Sequence, residues 1–347
     1  MKRIAITRRA LLGTATLLAA PAILRREAIA APFTPRADLV AAAKAEGKMI
    51  YYTTSFTEVE QEVINEFNKR FPFVRISMVR APGGQLITRI KTEAAAGKLA
   101  ADVIDHSDRA LMKALEDLFL DYAPPNAADY LDDARVSSKL WPRLTPAWSI
   151  AYNSELVKKP PTSWMDLTKP EYTKQIGQVI GPSGGTTWTR IMFERQVLGE
   201  DYWKRQAATK PQLYPSGAPL SDALVRGESL IAPLIYNAIL PKKNDGAPVE
   251  IFFPPEGVPI SPYATGIPKT AANPNAARLF LDWALSEEGQ AFTIKDQGNL
   301  TSLKVPPFLP KGFDPKVAKV WVPKYEEFRD LRDKWIEEWN TVYGYRQ

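Results

Sequence analysis

The sequence predicts an α/β protein of two lobes, each a mainly parallel sheet flanked by helices. Three observations carry this expectation. Apolar alternation and four-residue periodicity follow one another as strand, helix, strand along the chain, the grammar of parallel sheets. The 347 residues exceed what one hydrophobic core usually serves, even without a leader, so two cores are expected. The chain has no cysteine, so packing must stabilise it without disulfides or thiolate-bound metal.

The first thirty residues read differently from the rest. Lys2 and Arg3 lead to Arg8-Arg9, an apolar run extends through Leu24, and Ala28-Ile29-Ala30 offers small residues for cleavage. This is the pattern of an export signal over residues 1–30, excluded from the fold, and it implies a periplasmic protein. The paired arginines resemble a twin-arginine signal, with an ordinary Sec signal as the alternative. The apolar run is shorter than a spanning helix needs, so no stable membrane insertion is expected. Six basic residues and Glu27 lie in this segment, which leaves the remainder near +1 from a total of +6. No broad footprint for nucleic acid survives.

Asp38 to Glu46 reads as a helix stopped by Gly47, and Lys48–Thr54 as a strand. Val59, Val63 and Phe67 recur every four residues after Ser55, giving a helix that Phe71-Pro72 breaks. Val74, Ile76 and Met78 alternate as a second strand, and Pro82-Gly83-Gly84 leads to a helix from Gln85 to Ala96. Ala101–Asp105 is a third strand, ending at His106-Ser107-Asp108.

The middle repeats this order. Trp148–Tyr152 is an apolar strand, and Pro160-Pro161-Thr162-Ser163-Trp164 turns into a short helix. Gln178–Ile180 runs into Gly181-Pro182-Ser183-Gly184-Gly185-Thr186, and a helix follows to Leu198. Leu213-Tyr214 precedes Pro215-Ser216-Gly217 and the helix Leu220–Arg226, and Leu230–Ile235 is a buried strand delivering Tyr236 and Asn237. Ala276, Leu279, Phe280 and Trp283 share one face of a helix over Asn275–Ser286. Prolines near 306–323 suggest an extended wrap. Phe328, Leu331, Trp335 and Trp339 define a C-terminal amphipathic helix docked on the core.

Taken in order, Lys48–Thr54, Ala101–Asp105, Ile150–Asn153, Pro161–Leu167, Gly181–Thr186, and Ala271–Arg278 through Glu288-Gly289-Gln290 resemble the extracellular solute-binding proteins of ABC importers, iron(III)-type branch. The resemblance implies the type II periplasmic-binding-protein fold, two lobes closing on a solute with a double crossover hinge. It implies lobe 1 over residues 31–150, lobe 2 over 151–259, and the second part of lobe 1 with the C-terminal helices over 260–347. The crossings are expected near Ile150–Tyr152 and Val258–Pro262. The implied partners of such a monomer are a small-molecule solute, an ABC permease and its ATPase; no cofactor is implied.

The candidate ligand-binding residues follow from strand ends facing a cleft. Gly181–Thr186 lacks the lysine of a phosphate-binding P-loop but can seat an oxyanion at a helix N-terminus, through the Ser183 and Thr186 hydroxyls and the N–H groups of Gly184 and Gly185. The alternative there is a plain cap. Thr53, Thr54 and Ser55 end the first strand, with capping as their alternative. His106 and Ser107 end the third, with a structural histidine as the alternative. Tyr236 and Asn237 end a buried strand, and Ser216 and Tyr263 are weaker candidates.

The departures bear on the solute. Iron-binding members carry a tyrosine pair where this chain has Tyr236 followed by Asn237, and many carry a histidine where it has Thr53-Thr54-Ser55. Ferric iron needs several hard anionic ligands, which one phenolate with hydroxyls does not supply. The sequence therefore favours a small organic anion (carboxylate, phosphate ester, phosphonate) or a ferric chelate, with direct ferric binding second. An enzyme on the same fold is the third reading. Asp105, His106 and Asp108 can be drawn as an acid–base cluster, but His106 is the chain's one histidine and no G-x-S-x-G elbow occurs.

Overall fold

A computed structural model describes residues 30–304, 313, 314, 317, 319–324 and 329–346. The export signal therefore lies outside the described residues except for Ala30, as do Phe328 and much of the proline-rich stretch. The chain opens with α1 (Ala37–Glu46), β1 (Lys48–Thr53), α2 (Thr57–Arg70), β2 (Arg75–Arg80), α3 (Gly83–Ala95), β3 (Val103–His106) and α4 (Arg109–Lys113). It continues with β4 (Trp148–Asn153), β5 (Gly177–Val179), α5 (Gly185–Phe193), α6 (Tyr202–Ala208), β6 (Gln212–Tyr214), α7 (Gly217–Arg226), β7 (Ile231–Ile235), α8 (Leu240–Asn244) and β8 (Val249–Phe252). It ends with β9 (Val258–Pro259), β10 (Ala264–Gly266), α9 (Pro274–Leu285), α10 (Glu287–Lys295), β11 (Val320–Trp321) and α11 (Arg332–Tyr343).

Lobe 1 is the sheet β10-β3-β1-β2, in which β1 is parallel to β2 and β3 while β10 runs antiparallel. In lobe 2, β5 and β6 are parallel, and a bridge from Ile176 to Ile231 continues that direction to β7. There β4 is antiparallel to both β7 and β8, so this sheet is more mixed than the expected parallel one. The reason is topological. Parallel strands of both lobes end at the interlobe edge, and a chain arriving from the other lobe must enter there running away from it. β4 and β10 are the two arriving strands.

The crossings lie side by side. Ser261 N–H donates to the Pro146 carbonyl and Tyr263 N–H to Leu144, both at 2.8 Å, and Leu300 N–H donates to Thr145 at 3.0 Å. Ile150–Tyr152, expected as the first crossing, is already paired with β7 and β8 inside lobe 2. The chain also returns a third time. Leu303 bridges Tyr130 of lobe 1, β11 pairs with β9, and α11 packs on lobe 2.

Each lobe has its own aromatic core. In lobe 1, Phe67 meets Phe280 edge to face at 5.3 Å and Trp283 at 5.5 Å, which fastens α9 across α2. In lobe 2, Trp148, Trp164, Trp188 and Trp203 are buried with Trp339 of α11. The docked C-terminal helix expected from its periodicity is thus a lobe 2 element. Beneath the cleft, Arg143 is wholly buried and its Nη2 donates to Glu60 (2.7 Å), Asp105 (2.6 Å) and the Tyr51 hydroxyl (2.6 Å). Burial raises the Glu60 carboxyl above its ordinary range, with Arg143 acting against that rise. Among the described residues, no helix is long and apolar enough to cross a membrane.

Candidate functional site

The carboxyl ends of the strands face the cleft, where open α/β sheets bind ligands. On the lobe 1 side, most of the expected residues are occupied by the protein itself. The Thr53 hydroxyl accepts the Ser55 N–H at 3.0 Å, a tight turn that ends β1. The Thr54 hydroxyl accepts the Ser107 N–H at 3.0 Å and lies beside the Tyr263 hydroxyl, tying the loops after β1 and β3 to the return crossing. Burial raises the Tyr263 hydroxyl well above its ordinary value.

His106, expected among the cleft groups, is engaged within the protein. Its Nδ1 accepts the Asp108 N–H at 2.9 Å, so the proton sits on Nε2, which donates to the Gly83 carbonyl at 3.0 Å. Both ring nitrogens are taken, the ring is fully buried, and burial holds its pKa below the ordinary value. Its role is to lock the loop after β3 to the start of α3. Ser55 is the exception on this side: it is buried and its Oγ has no hydrogen-bond partner.

Lobe 2 presents the opposite character. Helix α5 is preceded by Gly184, whose φ of 151° lies in a region that favours glycine. Gly184 has no side chain to cap α5, so the alternative of a plain side-chain cap there is not seen, and Ser183 and Thr186 are both half-buried. Thr186 uses its carbonyl to accept the Trp148 indole N–H at 2.9 Å. Helix α7 likewise starts after Ser216 without a side-chain cap. Two helix N-termini thus bring uncapped donors and positive dipole ends to one sheet edge.

Tyr236 and Asn237 differ from one another. The Tyr236 ring stands edge to face on Phe253 at 5.2 Å, and burial pushes its hydroxyl up to about 12, so it is a neutral phenol. Asn237 is buried with Oδ1 unpartnered. The sequence reading missed two similar residues, Ser261 and Asn299, which are fully buried with an unpartnered hydroxyl and an amide unpartnered at both ends. Ser261 lies inside the expected Val258–Pro262 crossing, a signal that could have found it; Asn299 has none. The Leu300, Ser261 and Tyr236 N–H groups donate to the Thr145, Pro146 and Ala147 carbonyls, so Ser261 and the chain neighbours of Asn299 and Asn237 border the first crossing. A buried polar atom without a partner is costly.

The lobes touch. A Cβ on Gly185 would stand 2.3 Å from the Ser107 carbonyl oxygen, and the Phe56 ring lies 3.9 Å from where a Cβ on Gly217 would be. The nearby carboxylates are engaged. Asp105 accepts from Arg143 and Thr265, Glu60 from Arg143 and Tyr51, and Asp108 pairs with Arg332. Among the described residues, no group of three or more His, Asp or Glu side chains is placed to hold a metal ion.

This architecture has relatives. Residues 53–291 match the family described as bacterial extracellular solute-binding protein, and the chain belongs to that family. An uncharacterised protein of Haemophilus influenzae is 32% identical over 195 residues, covering 52% of this chain and 56% of the relative. The chain therefore matches little more than half the length of that relative. The spermidine/putrescine-binding periplasmic protein 1 of the same organism is 23% identical over 272 residues, 71% of this chain and 73% of the relative. The periplasmic binding protein AfuA of Actinobacillus pleuropneumoniae, solved with fructose-6-phosphate bound, superposes with a TM-score of 0.71 at 23% identity. That superposition covers 87% of this chain and all of AfuA, and it supports the type II periplasmic-binding-protein fold.

Proposed function

We propose that this protein is exported to the periplasm, captures a small anionic solute between its lobes and delivers it to an ABC permease and its ATPase. One observation carries the anion. Unpartnered neutral polar groups (Ser55, Asn237, Ser261, Asn299) occur in the loops after β1 and β7 and in segments flanking the crossings, and α5 and α7 start without a side-chain cap, while Asp105 and Asp108 are already engaged. Helix N-termini and neutral donors suit a carboxylate, phosphate ester, phosphonate or ferric chelate. A polyamine, as in the Haemophilus relative's name, needs free carboxylates. Direct ferric binding needs more anionic ligands than one buried neutral tyrosine supplies. The sugar phosphate in AfuA agrees with the anionic reading. The chain's one histidine is held in place by its neighbours, which favours a binding role over an enzyme on the same fold.

A thermal-shift screen tests this. Ligand at a hundred times its Kd adds about 2.7 kcal/mol of stability, so a binder raises the melting temperature with concentration. Phosphate esters, phosphonates and carboxylates should include a stabiliser, with ferric citrate compared against citrate. Stabilisation by putrescine or free ferric iron, and by no anion, overturns the proposal.

A further inference from the structure

We propose that Arg332 and Asp108 form a clasp that favours the closed lobes even before solute arrives. Arg332 is the first residue of α11, a helix that belongs to lobe 2. Trp339 of α11 is buried against Gly181, and Trp335 packs on Trp188 with centroids 5.9 Å apart. The Arg332 guanidinium lies 5.9 Å from the Trp188 ring centre, so it is oriented by lobe 2 before it reaches across. Its Nη1 then stands 2.6 Å from Asp108 Oδ2 in lobe 1.

Asp108 divides its carboxylate between two duties. Oδ1 accepts the Leu111 N–H at 3.2 Å and caps α4 in its own lobe, while Oδ2 takes the arginine. The Asp108 side chain is 5% exposed and that of Arg332 24%, so the pair is shielded more than an ordinary surface ion pair. It sits beside the Ser107–Gly185 contact, where the lobes meet backbone to backbone. Swinging the lobes apart breaks the pair, whereas the interactions that hold α11 on lobe 2 and Asp108 on α4 survive. A contact present in one state and absent from the other shifts the balance between them. Arg332 and Asp108 are thus positioning residues for closure, acting without touching the solute.

The clasp rests on the capture reading but is testable without any solute, so an empty anion screen leaves it standing. The chain has no cysteine, so the exposed Glu62 of lobe 1 and Lys204 of lobe 2 can be changed to cysteine for a donor and acceptor dye pair. Asn caps a helix as well as Asp does, so Asp108→Asn removes the charge and keeps the cap. In solute-free protein, Asp108→Asn and Arg332→Gln should each raise the open-to-closed ratio by roughly two- to fivefold, and together by no more than either alone. Arg332→Lys should recover part of the closed population. Distance distributions identical to the parent in both variants, or additive shifts in the double variant, overturn the clasp.

Discussion

The two walls of the cleft are made of similar residues used in opposite ways. On the lobe 1 wall, Thr53, Thr54 and His106 each have a partner within the protein, and the loops after β1 and β3 are stitched together. On the lobe 2 wall and the hinge, α5 and α7 start uncapped and Asn237, Ser261 and Asn299 carry buried atoms with no partner. A wall whose polar groups are satisfied is rigid and has little left to offer. A wall whose groups are unsatisfied carries a stability cost that a ligand removes. On the proposed capture reading the difference says where affinity comes from: the hinge and lobe 2 are expected to hold the solute, and lobe 1 to close over it, with Ser55 as its own direct contribution.

The largest way to break this division is to undo the support beneath lobe 1. Arg143→Met leaves Glu60 and Asp105 buried without their cation and should cost about 3–5 kcal/mol of stability in urea denaturation. A loss under 1 kcal/mol would mean the network does not brace that wall. Next comes the point where the walls meet. Gly185→Ala drives a Cβ into the Ser107 backbone, so the lobes cannot close fully although alanine suits the first turn of α5. Solute affinity should drop at least ~10-fold, equivalent to about 1.4 kcal/mol, with solute-free stability unchanged. Unaltered affinity by calorimetry would place binding away from this junction.

A paired substitution sharpens the contrast between walls. Asn237→Ala should weaken solute binding by ~10-fold while leaving solute-free stability equal or higher, because an unpartnered polar group is removed. His106→Gln should do the reverse, lowering stability by ~1–2 kcal/mol and sparing affinity. If both variants lose affinity equally, the walls do not differ as described.

The smallest effect is pH dependence. His106 is held neutral in the fold with a pKa below its unfolded value near ~6.5, so the unfolded chain binds the extra proton. Its contribution is complete above pH ~6.5 and is lost as pH falls toward the lower folded pKa. Asp282, pushed up to about 6 by burial, has the opposite sign and gains stability as pH falls through that range. Urea melts of parent and His106→Gln between pH 5 and 7 isolate the histidine; identical slopes would show that the ring is not held as its geometry requires.

Much of lobe 1 is legible in the sequence because its patterns are local. The four-residue spacing of Val59, Val63 and Phe67 and the alternation of Val74, Ile76 and Met78 mark α2 and β2 without further help. Short or abutting elements are harder. Tyr202–Ala208 spans too few residues to declare a period, and α10 hides behind α9 because Ser286, readable as a helix end, accepts the Gly289 N–H and caps the next helix. Strand direction is not local at all, since β4 is antiparallel because of where the chain came from. The site divides in the same way. That Thr54, Ser55 and His106 lie at strand ends is readable from polar residues following apolar runs. That Thr54 is engaged and Ser55 is not depends on Ser107, more than fifty residues away.

The threefold passage of the chain between lobes also bears on how the molecule is made. Lobe 1 lacks β10, α9 and α10 until residues beyond lobe 2 have been synthesised, and lobe 2 lacks α11 until Arg332–Tyr343 have followed. Trp148 and Trp188 share a core with Trp339, so that core closes only across a long stretch of sequence. Neither half is a contiguous segment able to complete itself early, and contacts of such high sequence separation slow folding. Cutting the chain before Arg332 should therefore leave an unfinished second lobe with apolar surface around Trp188 and Ile191 laid bare, while the lobe 1 core, whose members end by Leu303, stays intact.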